Sequence, residues 1–389
     1  MDNILKRLSI IRKNGLYREC RYLSSVQSPK VNMDGREIIL LGSNNYLGLC
    51  DDSQLKEAAI DAINKYGVGA GGSRLTTGSC DLHKKLEEKI ADFKGTEKAL
   101  VYNTGYMANV GILSALCDRK WTIFCDKANH ASILDGCLLS GAKLVRYKHG
   151  DMDDLEKKIH MNKGAYNLIV TDGVFSMDGD IAPLSHIVKL AKKHGILTMV
   201  DDAHGVGVLG ENGAGTASYL GVNEEIDVQM GTLSKAIPSV GGYVAGKKEI
   251  IDYLKNVSKS FIFSTALPPS AIAVSLEAIE MIQKDKERRE RLKNLATWFK
   301  NELQSMGFSM TNTITPIIPV IIGDVEKTVK LSESLLEEGI YIPGIRPPTV
   351  PKGTSRLRIS IMATHTYEDL EYVLKVIKYH GKRLKIIEG

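Results

Sequence analysis

Lys235 follows an apolar-leaning run, Ile226 to Met230, that reads as a buried strand, and it precedes a small-residue segment, Ala236 to Gly242, that reads as a loop. A lysine at the end of a core strand is costly, because an ammonium gives up its water only against a strong partner. Capping the amine as an imine removes that cost, and this is how a lysine holds a pyridoxal cofactor. Upstream, Gly195 to Val200 reads as a strand ending at Asp201. Ligands of α/β sheets sit beyond the carboxyl ends of strands. A carboxylate there can keep a pyridine nitrogen protonated and make the ring an electron sink. His204, three residues on, has the reach to bond a phenolic oxygen of the same ring. Singly, these residues read as a loop lysine, a solvated Asp-Asp turn and an ordinary histidine. Together, in this order, they point to cofactor chemistry.

The elements that must position them alternate in type. Ala99 to Tyr102, Thr122 to Asp126, Lys143 to Tyr147 and Leu168 to Thr171 read as strands, with helical segments between them. Alternation from residue 99 to 235 implies right-handed crossovers and a mostly parallel sheet. Between the first strand and its helix, Asn103-Thr104-Gly105-Tyr106 offers free N–H groups at a positive helix end, a fit for a phosphate. The glycine-dense stretch Gly67 to Gly78 carries no Walker lysine, so it is a weak phosphate signal. Residues 1 to about 20 read as an amphipathic helix on Ile4, Leu5, Leu8 and Ile11. Beyond Pro268-Pro269 one long helix is expected, its charged middle from Lys284 to Arg291 facing solvent. Ile317 to Ile322 and Leu357 to Ile361 read as strands of a smaller α/β layer, with Arg346 and Arg358 near its ends. The division expected is an N-terminal arm at 1–45, a large cofactor-binding domain at 46–270 and a small C-terminal domain at 271–389.

Composition narrows the class. The 389 residues are 43% hydrophobic and 25% charged, as in a globular protein, and the net charge of +5 is too dispersed for a nucleic-acid partner. Six scattered cysteines without a CxxC pair argue against a zinc site and a disulfide framework, and for reduced thiols. No signal-peptide core and no run of about 20 apolar residues is present, so a cytoplasmic protein without a membrane span is expected.

The motifs DDAHGVGVLGENGAGT (Asp201 to Thr216) and GTLSKA (Gly231 to Ala236) resemble the α-oxoamine synthases. These are a branch of the aspartate-aminotransferase-like, fold type I pyridoxal-phosphate enzymes. FSTALPPS (Phe263 to Ser270) and IRPPTVPKGTSRLRIS (Ile345 to Ser360) extend the resemblance, which runs from about Arg18 to the C-terminus. It implies an α/β architecture of a large domain with a mostly parallel central sheet plus a smaller C-terminal domain. It also implies pyridoxal 5'-phosphate held by Lys235, with His130 stacked on the ring and Asp201 and His204 at its edge. Gly105, Tyr106, Ser176 and Thr232 would contact the cofactor, and Thr265 would reach the phosphate of a neighbouring subunit in a homodimer with shared sites. Asn44 and Arg358 would hold an amino-acid carboxylate, while Arg18, Arg346 and Thr349 would meet the acyl substrate. The activity implied is decarboxylative condensation of L-alanine with a pimeloyl thioester, on coenzyme A or carrier protein, to 8-amino-7-oxononanoate in biotin synthesis. Glycine with acetyl-CoA, a plain aminotransferase and a non-catalytic partner subunit are the alternatives, and Lys235 itself argues against the last. Pro238 departs from the glycine many synthases carry there, and implies a stiffer loop after the lysine.

Overall fold

The computed structural model describes residues 1–13 and 17–388. Seven strands form the central sheet in the spatial order Lys98–Tyr102, Pro238–Gly246, Val228–Ser234, Leu197–Asp201, Tyr166–Asp172, Trp121–Asp126, Lys143–Tyr147. Only Pro238–Gly246 runs antiparallel to its neighbours. Runs such as Ile123-Phe124-Cys125 and Leu168-Ile169-Val170 are apolar at every position because helices cover both faces of the sheet. The carboxyl ends of the parallel strands Tyr166–Asp172, Leu197–Asp201 and Val228–Ser234 bring Asp172, Asp201 and the Ser234-Lys235 turn to one edge.

A second, antiparallel sheet holds Ser309–Met310, Ile317–Gly323, Ser355–Ser360 and Gly344–Ile345. A third joins Lys30–Met33 and Arg36–Leu40 to Ile340–Tyr341, so residues 30–40 share a sheet with a C-terminal segment. The second sheet grips the loop after Tyr166–Asp172. Arg358 Nε donates to the Ser176 carbonyl at 2.5 Å, Arg356 pairs with Asp178, and the Thr313 and Thr315 hydroxyls donate to the Gly179 carbonyl at 2.7 and 2.9 Å.

Four expectations change. The segment after Lys235 is a tight hairpin, not a loop: Pro238 opens a strand and pairs with Ser234. A proline at the first position of a strand gives up little of the ladder, so Pro238 is accommodated. The small residues there serve close packing, since a Cβ on Gly242 would lie 2.6 Å from the Thr104 carbonyl oxygen. Beyond Pro268 there are two helices, Pro269–Lys284 and Lys286–Ser305, broken at Asp285, which caps the second through Arg288 N. Arg289, in the stretch expected to face solvent, is instead buried and donates to the carbonyls of Ile282, Asp285 and Glu211. At the N-terminus the helix is Asp2–Lys13, with Ile4, Leu5, Ile10 and Ile11 exposed; residues 14–16 lie outside those described and 17–20 are not helical, so the helix is shorter than expected.

Candidate active site

One cavity of about 260 Å³ opens at the carboxyl edge of the central sheet, and Gly105, Tyr106, His130, Ser176, Asp201, His204, Thr232 and Lys235 all line it. Eight residues spread over 130 positions of sequence thus meet in one place. At one end, Thr104 caps the helix Gly105–Leu116 by accepting from Met107 N at 3.1 Å. The Gly105 and Tyr106 N–H groups lie in the first turn, where intrahelical acceptors are lacking, and face an anion-sized space. A Cβ on Gly105 would sit 3.2 Å from Met230 Cε, so the turn packs closely on the neighbouring strand. Thr232, buried beside this turn, donates to the Gly241 carbonyl at 3.0 Å and lies 2.7 Å from Ser234 Oγ.

At the other end lies Asp201, 4% exposed, with Ala203 N donating to Oδ1 at 3.0 Å and Asn109 Nδ2 to Oδ2 at 2.6 Å. Lys235 lines the same cavity, and burial pulls its ammonium down to about 8 against the opposing pull of Asp201 and Asp172. His204 sits 2.7 Å from the Tyr46 hydroxyl through Nδ1, which leaves Nε2 free for the cavity. Burial, then Lys235 and Arg358, hold the His204 imidazole well below its usual pKa, so it is neutral. Arg358, 5% exposed, donates to Asn44 Oδ1 at 3.1 Å and lies behind Ser176, so the expected carboxylate clamp abuts the cavity.

Other expected residues lie apart from it. Like Asn44 and Arg358, Arg18, Thr265, Arg346 and Thr349 are not among the cavity-lining residues, and Arg18, Thr265 and Thr349 are exposed. The Arg346 to Thr349 segment is a turn closed by Thr349 N donating to the Arg346 carbonyl at 3.1 Å. Thr265 bridges Ser73 of the glycine-dense stretch, which joins two distant segments at one surface.

Sequence reasoning missed Asp172, Asn109, Ser132 and Tyr46. Asp172 pairs in register with Asp201 on the next strand, accepts from His130 N at 3.0 Å, and is held well above the usual carboxylate range by burial and then by Asp201. Its signal was present, an aspartate ending a core strand. Asn109 gave only a polar residue within a very apolar helix.

Elsewhere, Glu156, His160 and His194 cluster closely enough for a metal ion, but the Lys193 ammonium already sits 2.6 Å from the same Glu156 oxygen. That cluster reads as a surface ion-pair network. All six cysteines are free, and among the described residues no helix is long and apolar enough to cross a membrane.

The cavity gathers an amine, two carboxyl groups, two imidazoles and the N-terminus of a helix. Comparison with known proteins agrees with this chemistry: residues 36–377 match the family of class I and II aminotransferases. The chain belongs to that family. Within it the chain falls in the α-oxoamine synthase branch. It is 52% identical over 387 residues to the 8-amino-7-oxononanoate synthase of Lysinibacillus sphaericus, covering 99% of this chain and all of that one. Among solved structures, a serine palmitoyltransferase from S. paucimobilis with pyridoxal phosphate and myriocin bound superposes with a TM-score of 0.94 at 36% identity, covering 99% and 98% of the two chains. The 8-amino-7-oxononanoate synthase of Francisella tularensis gives 0.79 at 29% identity, covering 89% and 98%. Backbone likeness therefore does not rank the activities within the branch. Sequence identity does, and it favours the oxononanoate relatives.

Proposed function

We propose that this chain condenses L-alanine with a pimeloyl thioester, releasing carbon dioxide and the thiol, to form 8-amino-7-oxononanoate. The observation that carries it is the pairing of the Lys235 cavity with full-length identity of about half to synthases of that product. The residues fit pyridoxal phosphate: the helix N-terminus at Gly105 suits a phosphate, Asp201 stands ready for a protonated ring nitrogen, and Lys235 supplies the amine. When bound, that group supplies an electrophilic carbon for amines and a cationic ring that accepts the electron pair left at Cα.

The chain's own groups do the rest. Lys235 holds the cofactor and, once displaced, takes the Cα proton of alanine, a role its lowered pKa suits near neutrality. Asp201 keeps the ring cationic. Arg358 and Asn44 receive the alanine carboxylate, since a guanidinium fork matches two carboxylate oxygens. His204 donates through Nε2 at the ring edge, Ser176 and His130 pack the ring, and Thr232 supports the phosphate end. Arg18, Arg346 and Thr349 receive the acyl chain, and coenzyme A or carrier protein leaves. The location is cytoplasmic and the assembly a homodimer in which Thr265 reaches the partner's phosphate. The exposed apolar residues beside it, Val68, Leu75 and Phe263, support that interface. The N-terminal arm, large domain and small domain divide near residues 45 and 270.

Incubation with alanine and pimeloyl-CoA tests the reaction. One thiol and one carbon dioxide per ketone formed supports it. Pyruvate formation without thiol release would make the chain an aminotransferase.

A further inference from the structure

Asn109, 1% exposed, joins the two faces of the cavity. Its amide nitrogen lies 2.6 Å from Asp201 Oδ2 and 2.8 Å from Ser132 Oγ, and Ser132 Oγ lies 2.8 Å from His130 Nδ1. The protons on this chain can be placed by counting donors. An ionised carboxylate only accepts, so the Asn109 atom facing Asp201 is the nitrogen. The two N–H bonds of that nitrogen go to Asp201 and to Ser132, which makes Ser132 Oγ an acceptor toward Asn109. The serine's own proton is left for His130 Nδ1. A second donor agrees: the Ser132 backbone N–H points at the same ring nitrogen from 3.3 Å, and a backbone N–H can only donate. Two donors on Nδ1 leave that nitrogen bare. The proton of the neutral imidazole then sits on Nε2.

The orphan atom supports this orientation. Asn109 Oδ1 is buried without a hydrogen-bond partner. A buried unpaired carbonyl is costly, and the two bonds made by the nitrogen offset that cost. The charged groups facing His130 are Asp201, Lys235 and Asp172, and the Tyr106 ring stands edge-on with centroids 6.4 Å apart. Burial and Lys235 disfavour the imidazolium, against Asp201, so a neutral ring is consistent with its surroundings.

We propose that Asn109 and Ser132 are positioning residues that lock His130 as a neutral Nε2–H donor, the chain being anchored on the Asp201 carboxylate. His130 then offers a hydrogen bond to a substrate oxygen and does not compete with Lys235 for the Cα proton. This rests on the placement of His130 against the cofactor and substrate proposed above. The two ideas fail separately, because the ring's protons can be read in the full-length chain without any substrate.

The experiment is nitrogen-15 NMR of histidine-labelled full-length protein at neutral pH, measured without added cofactor, with the His130 signals assigned by His130→Gln. In the wild type, Nε2 should carry the proton and Nδ1 should resonate as a bare acceptor. Asn109→Ala frees the Ser132 hydroxyl to accept, so a second population protonated on Nδ1 should emerge and the ring should titrate at higher pH. Ser132→Thr keeps the hydroxyl and should retain the wild-type pattern, whereas Ser132→Ala should raise the titration midpoint. In the loaded enzyme, Asn109→Ala should lower kcat by about tenfold with KM little changed. A wild-type proton on Nδ1 overturns the proposal, and so does an unchanged His130 pattern in folded Asn109→Ala. If Asn109→Ala does not fold, identical spectra from Ser132→Ala and Ser132→Thr overturn it. Absence of thioester turnover in the wild type removes the proposed reaction and leaves the NMR result standing.

Discussion

In the proposed reaction, Lys235 is the movable proton acceptor and Asp201 the fixed negative charge. Asp201→Asn keeps the shape but removes the charge and one of the two oxygens that accept from Ala203 N and Asn109 Nδ2. We expect turnover to fall at least about a hundredfold, comparable to removing a principal electrostatic stabiliser, and steady-state thiol release measures it. Near-normal activity would reduce Asp201 to a structural turn residue. Lys235→Ala should still bind cofactor weakly, yet fail to exchange the Cα hydrogen of alanine with solvent, which proton NMR of the amino acid reads directly. His149 supplies a test of stability away from the chemistry. It bridges Asp126 at 3.0 Å and Asp180 at 2.9 Å, and those two bonds hold its pKa up at about 10. A raised folded pKa contributes stability that is complete below the unfolded value near 6.5 and is lost as pH climbs towards 10. The wild-type urea midpoint should therefore decline across that window, and His149→Gln should be less stable below it with a flatter profile. Parallel profiles would show that the bridge contributes nothing.

At the scale of elements, the site depends on how closely backbones approach. A Cβ on Gly242 would meet the Thr104 carbonyl oxygen at 2.6 Å and Gly105 N at 2.7 Å, and backbone atoms cannot step aside as a flexible side chain can. Gly242→Ala should displace the anion-binding turn, cost about 1–3 kcal/mol of stability as overpacking does, and weaken pyridoxal-phosphate affinity measured by fluorescence titration. Wild-type affinity would detach that turn from the phosphate. The same packing explains what the sequence disclosed and what it hid. Lys235, Asp201 and His204 were legible because a strand end followed by a turn is a local pattern with a known geometric consequence. The Pro238 to Gly246 strand was not, because glycine, serine and proline announce a turn whether they bend the chain or let two strands and a helix end crowd together. Arg289 looked solvated among charged neighbours, yet it caps carbonyls from two segments, a tertiary role invisible in a charge run. Asn109 sits mid-helix, so nothing in its neighbours names Asp201, 92 residues away, as its partner.

At the scale of the whole molecule, a single chain leaves apolar surface uncovered beside the cavity segments: Val68 is 80% exposed and Phe263 79%. A homodimer would cover it. If Thr265 serves the partner's site, mixing inactive Lys235→Ala with inactive Thr265→Ala chains creates hybrids with one undamaged site. Partial recovery of activity is expected, and none after verified subunit exchange would end the shared-site idea. The overall architecture was readable from strand–helix alternation, whereas the acyl specificity was not. The Arg346 to Thr349 segment, expected to meet the acyl substrate, is a turn closed by its own backbone hydrogen bond and lies outside the cavity lining. Substrate choice therefore has to be measured. The most direct test is kcat/KM for thiol release, comparing alanine with pimeloyl-CoA, glycine with acetyl-CoA and serine with palmitoyl-CoA. The account predicts alanine with pimeloyl-CoA ahead of both by well over tenfold, since each methylene buried in a fitting channel contributes roughly 0.8 kcal/mol and a mismatched chain forfeits part of it. Faster turnover of either other pair would contradict it.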